Sequence, residues 1–103
     1  MFNPTSANFL IQAFIADCAK RNIFFQKVIL FGSVARNQAT EDSDIDVLFV
    51  SDQFTDNALQ NARLVAPISA KLYDIEPHLY PTPAFLRNDP FIQEIIKTGT
   101  TIF

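Results

Sequence analysis

The chain has 103 residues and a formal charge of −3, from 11 Asp+Glu against 8 Lys+Arg; this is the usual size of one domain, residues 1–103, around one core. At 49% hydrophobic and 18% charged, with eleven Phe, it is too apolar to be disordered, and no apolar run reaches the roughly 20 residues that cross a bilayer. The single Cys18 makes neither an internal disulfide nor a zinc site, so a reduced, cytoplasmic protein is expected, and the mild acidity argues against direct nucleic-acid binding.

Asn3 and Pro4 open a helix whose apolar face carries Phe9, Leu10, Ala13, Phe14 and Ala16 to Cys18, with Lys20 and Arg21 at its end. Lys27 to Phe31 (KVILF) is a β-branched, apolar run stopped by Gly32-Ser33, the pattern of a buried strand followed by a tight turn. Val34 to Gln38 reads as a short helix entered from that turn. Asp44 to Val50 (DIDVLFV) is a second strand, acidic at its start and apolar at its end. Thr55 to Leu72 places Leu59, Ala62, Leu64, Val65, Ile68 and Leu72 at roughly helical spacing, with a kink or an interruption expected at Pro67. Tyr73 to Leu79 alternates as a third strand, which Pro77 pushes toward an edge or its end. Tyr80 to Asn88, with Pro81 and Pro83, is expected to be a loop. Asp89 then caps a helix over Phe91 to Lys97 that Gly99 stops. Helices alternating with strands predict an α/β or α+β fold around a small sheet. The Phe residues at 14, 24, 25, 31, 49 and 91 are expected in the core, as is Cys18.

Leu30 to Val50 carries the chemistry. A strand ending in Gly32-Ser33 and leading into a helix offers backbone N–H groups and a hydroxyl, a seat for a phosphate. Asp44 and Asp46 stand two apart on a strand, so they leave one face and converge. Two carboxylates held together repel unless a cation lies between them, and Mg²⁺ takes such a pair together with substrate phosphates. A phosphate seat beside a carboxylate pair describes a triphosphate site.

Gly32-Ser33, a ten-residue spacer and Asp44-Ile45-Asp46 resemble the nucleotidyltransferase signature of the DNA polymerase beta superfamily. Ala35-Arg36, Ser43, Ile75-Glu76-Pro77-His78 and the segment from Asn88 to Gly99 are similar to the minimal nucleotidyltransferases that accompany HEPN-domain toxins as antitoxins. The resemblance implies a small mixed sheet flanked by helices, and transfer of AMP from ATP to a hydroxyl, a tyrosine of the partner toxin. It implies two Mg²⁺ ions on Asp44, Asp46 and a third carboxylate, Glu76 or alternatively Asp74. Gly32 and Ser33 would hold phosphates, and Arg36 either reaches a phosphate or lies on a solvated helix face. The family often has Gly where Asn37 stands, and Asn tolerates the left-handed backbone such a turn needs. His78 is read as structural before catalytic, and Arg63 and Lys71 as facing either the triphosphate or solvent. A non-catalytic antitoxin that occludes its toxin and a small-molecule nucleotidyltransferase, the latter requiring a homo-oligomer or further domain, are the two rival readings.

Overall fold

The computed structural model describes residues 1–103 as an α+β fold of five helices and a four-stranded mixed sheet. In chain order these are α1 (Pro4–Lys20), β1 (Lys27–Phe31), α2 (Gly32–Ala35), β2 (Ile45–Ser51), α3 (Ala58–Lys71), β3 (Ile75–Pro81), α4 (Thr82–Leu86), α5 (Pro90–Thr98) and β4 (Thr100–Thr101). The strands lie in the order β3-β2-β1-β4, with β2 antiparallel to β1 and parallel to β3. Parallel neighbours need a crossover, which α3 supplies.

Alternation divides the sheet into two faces. Val28 and Leu30 of β1, Ile45, Val47 and Phe49 of β2 and Ile75 of β3 pack against Ala7, Ile11, Phe14 and Cys18 of α1 and Val65 and Ile68 of α3. Phe49 stacks on Phe14 with ring centres 4.5 Å apart and meets Phe25 at 4.8 Å. The opposite face carries Ile29, Leu48 and Val50, which Ile92 and Ile95 of α5 cover, with Phe31, Tyr80 and Phe85 at the margin. Burial pushes the Cys18 thiol up to about 11, so this side chain packs as a small apolar group and stays protonated. No helix is long and apolar enough to cross a membrane.

Local signals account for most elements. Asn3 and Ser6 form a reciprocal capping box at the start of α1, Asn57 caps α3, and Asp89 caps α5 through the Ile92 N–H at 2.9 Å. Several expectations are corrected by packing. The buried stripe of α1 is Ala7, Ile11, Phe14 and Cys18, whereas Phe9, Ala13 and Ala16 face solvent. In α3 the buried line is Asn61, Val65 and Ile68, leaving Leu59, Ala62 and Leu64 outside, and the helix starts at Ala58 rather than at Thr55. It runs on through Pro67, which lies on the exposed side of the helix and interrupts it nowhere. Phe24 is 59% exposed and Phe91 44% exposed, so neither is core.

The expected loop over Tyr80 to Asn88 is instead the end of β3 followed by α4. Thr82 and Pro83 occupy the first helical turn, where a missing N–H costs nothing, so the prolines start this helix instead of preventing it. Pro77 is accommodated because β3 is an edge strand, as its sequence implied. Gly99 does end α5, although for a reason of space: its φ is −88°, and a Cβ there would stand 2.7 Å from the Leu30 carbonyl oxygen. The two-residue β4 has no counterpart in the sequence reading and exists through its pairing with Ile29 and Leu30.

Candidate active site

The centre of the site is Asp46, on the interior strand β2. Its register neighbours are Phe31, the last residue of β1, and Glu76, the second residue of β3. Pairing therefore brings the turn after β1 and the acidic start of β3 to the two sides of one carboxylate. Glu76 and His78 are two apart on β3 and leave the same sheet face as Asp46. One ligand atom from each of Asp46, Glu76 and His78 lies within 4.8 Å of the others, and the His78 Nε2 stands 3.3 Å from Asp46 Oδ1.

Gly32 closes the third side. Its φ is +76°, a backbone conformation costly to a side chain, and a Cβ built on it would collide with the Asp46 carboxylate. The turn thus lies directly against the acid. The helix it opens is one turn long, Gly32–Ala35, shorter and earlier than the expected Val34 to Gln38. Val34 anchors it in the core, and the Ser33 carbonyl accepts from the Gln38 N–H at 2.8 Å. Asn37 adopts φ 55°, the left-handed turn in which Asn substitutes for Gly.

Electrostatics set the chemical character. Asp46 raises the Glu76 carboxyl above the usual carboxylate range, first through a side-chain hydrogen bond between the two groups, then with partial burial and with repulsion by the Asp46 charge. His78 pulls it the other way, and the Asp44 charge adds to the rise. The ion pair made by a Lys or Arg side chain is Lys20 with Asp17, so no Lys or Arg neutralises these acids. Two carboxylates and an imidazole that converge without a cationic side chain fit a divalent cation.

The other sequence candidates fall at different distances from this point. Asp44 is exposed and precedes β2, which begins at Ile45, and it is outside the converging trio while its field reaches Glu76. Of the two alternatives on the third strand, Glu76 converges with Asp46; Asp74 precedes β3, and its carbonyl accepts from the Ile45 N–H at 2.9 Å. Arg36 ends α2 on the exposed side, with Nε 3.4 Å from Gln38 Oε1. Arg63 and Lys71 belong to α3, which covers the sheet face opposite the acids, so they do not point toward this site.

His78 is the residue that sequence reasoning set aside. Its ring meets Phe31 edge-on at 4.9 Å, and Phe91 flanks both rings at 6.0 and 6.5 Å. The signal available in advance was its i+2 spacing from Glu76, which puts any side chain at 78 on the face of the acid.

Comparison with known proteins bears on the family and the fold. The family model described as "Nucleotidyltransferase domain" matches residues 12–102. A protein of Methanocaldococcus jannaschii whose name proposes a protein adenylyltransferase is 63% identical over 27 residues, a stretch covering 26% of this chain and 27% of that protein's length. A Sulfolobus solfataricus structure, whose name proposes a nucleotidyltransferase, has a TM-score of 0.65 at 18% identity, over 94% of this chain and 79% of its own. A toxin–antitoxin structure with AMP-PNP has a TM-score of 0.59 at 22% identity, over 88% of this chain and 71% of that one. A tri-AMPylated HEPN toxin of Shewanella oneidensis in complex with its MNT antitoxin has a TM-score of 0.53 at 17% identity, over 96% and 71%. These likenesses to solved structures concern the fold.

Proposed function

This chain belongs to the nucleotidyltransferase domain family, and from that premise we propose that it transfers AMP from ATP to a tyrosine hydroxyl of a HEPN-domain toxin, acting as its antitoxin. The observation that carries this reading is the packing of Gly32 against Asp46, which sets a turn suited to phosphates directly beside a carboxylate pair. In support, the fold is shared with a toxin–antitoxin structure holding AMP-PNP and with the antitoxin of an AMPylated HEPN toxin.

In this reading Gly32 and Ser33 bind the β- and γ-phosphates and present the α-phosphate in line, with Arg36 able to swing to the triphosphate from its exposed position. The acceptor oxygen bonds to the α-phosphorus, the bond to the pyrophosphate oxygen breaks, and Glu76 orients the hydroxyl and takes its proton. Asp44, Asp46 and Glu76 would hold divalent ions, two in this reading, whose chemistry is to neutralise the triphosphate and acidify the acceptor hydroxyl.

The test is label transfer. With ATP labelled at the α-phosphate and a HEPN-domain partner, label should move to the partner's tyrosine at substoichiometric amounts of this chain. Asp46→Asn and Ser33→Ala should abolish transfer while the complex still forms. Neutralisation of the partner at one-to-one stoichiometry by both variants, with no label on the partner, would replace transfer by occlusion.

A further inference from the structure

We propose that His78 is itself a metal ligand, and that Asp46, Glu76 and His78 form a mixed oxygen–nitrogen site that selects borderline divalent ions such as Co²⁺ or Zn²⁺ over Mg²⁺. This rests on the metal-dependent reading above and deepens it by naming the class of ion.

Geometry is the first ground. At metal–ligand distances of about 2.0–2.2 Å, adjacent ligand atoms stand roughly 3.0 Å apart in an octahedron and roughly 3.4 Å apart in a tetrahedron. The His78 Nε2 and Asp46 Oδ1 are 3.3 Å apart. The full spread of the trio, 4.8 Å, is within an ångström of the roughly 4.2 Å between opposite ligands of an octahedron. One ion can therefore bridge all three with little side-chain movement.

Orientation is the second ground. The imidazole is held edge-on by Phe31 at 4.9 Å and flanked by Phe91 at 6.5 Å, and its side chain is 28% exposed, so its nitrogen faces Asp46 before any ion arrives. The parallel register that pairs Asp46 with Glu76 also fixes His78 two residues further along the same face. Donor chemistry then decides selectivity. Mg²⁺ takes hard oxygen ligands and gives up water reluctantly, whereas imidazole is a good ligand for the later first-row ions. Replacing one carboxylate of an all-oxygen set by an imidazole lowers the site's charge and shifts preference along that series.

The chain has one histidine, so any imidazole nitrogen found on a bound ion is that of His78. Untagged protein, free of ATP and acceptor, should be loaded with Mn²⁺ and its electron spin-echo modulation recorded with natural and ¹⁵N-labelled histidine. A nitrogen coupling that changes with the label is expected. Titrations should give Co²⁺ and Zn²⁺ at least tenfold tighter binding than Mg²⁺, with His78→Gln losing tenfold or more for Co²⁺ and under threefold for Mg²⁺. Absence of nitrogen coupling, or equal losses for both ions, overturns the proposal, and the labelled wild type decides even if His78→Gln misfolds. Asp46→Asn separates the two levels: if it abolishes binding and nitrogen coupling is absent, only the role of His78 fails. If Asp46→Asn leaves all metal binding intact, the metal-dependent transferase reading fails with it.

Discussion

Replacing Glu76 by Gln removes one of two carboxylates that face each other across the β2 and β3 pair. Two unit charges within 4.8 Å of one another repel by at least about 0.9 kcal/mol in water and about 3.5 kcal/mol at an effective dielectric near 20. Glu76 is exposed, so screening selects the lower end, about 1 kcal/mol. Because Asp46 raises Glu76 in the folded state, the folded chain keeps this proton to higher pH than the unfolded chain does. Between the ordinary value of 4.5 and the raised one, the folded state binds more protons, and stability falls as pH rises through that window. Below the window wild type and Glu76→Gln should melt together. Above it the variant should be more stable by about 1 kcal/mol, a rise of roughly 4–8 °C for a domain of this size. Thermal melts in chelator across the window measure this, and the gain should shrink in about 1 M salt, where the Debye length is only about 3 Å. Adding Mn²⁺ should stabilise the wild type more than the variant, since the wild type retains both acids. A variant that melts below wild type at neutral pH in chelator, or a difference indifferent to pH, would refute the convergence of Asp46 and Glu76.

Two further substitutions probe the supports of the site and of α3. Gly32→Ala should cost about 1–2 kcal/mol from its positive φ alone and, by driving a methyl into the Asp46 carboxylate, should weaken Mn²⁺ binding as well; melting combined with metal titration checks both, and unchanged metal affinity would contradict the close approach. Asn61 is 2% exposed, accepting from the Thr55 N–H at 2.8 Å and donating to the Thr55 carbonyl at 2.7 Å. Asn61→Ala should therefore lose about 1–3 kcal/mol in urea unfolding, because it strands both backbone groups; a loss under about 0.5 kcal/mol would place that loop in solvent.

What the residues determine locally was legible in advance. KVILF and DIDVLFV are strands because β-branched and aromatic side chains crowd a five- to seven-residue span, and the Gly32-Ser33 turn and Asp-x-Asp spacing lie within about 20 residues of one another. Caps at Asn3 and Asp89 act within one helical turn. Edges and faces were harder. The prolines of α4 read as loop signals although the first turn of a helix admits them, and the outward turn of Phe9 and inward turn of Ile11 depend on which side of α1 meets the sheet. The composition of the acidic site was decided only by tertiary structure. Asp46 meets Glu76 instead of Asp74, and His78 joins them, because β3 pairs with β2 in one parallel register. That register is set by burial of Ile75 against the α1 and α3 core and by the span of the α3 crossover, and a one-residue slip would turn Glu76 and His78 to the opposite face. Local patterning constrains which side chains share a strand face, but two strands some 30 residues apart acquire a common site only through the packing that aligns them.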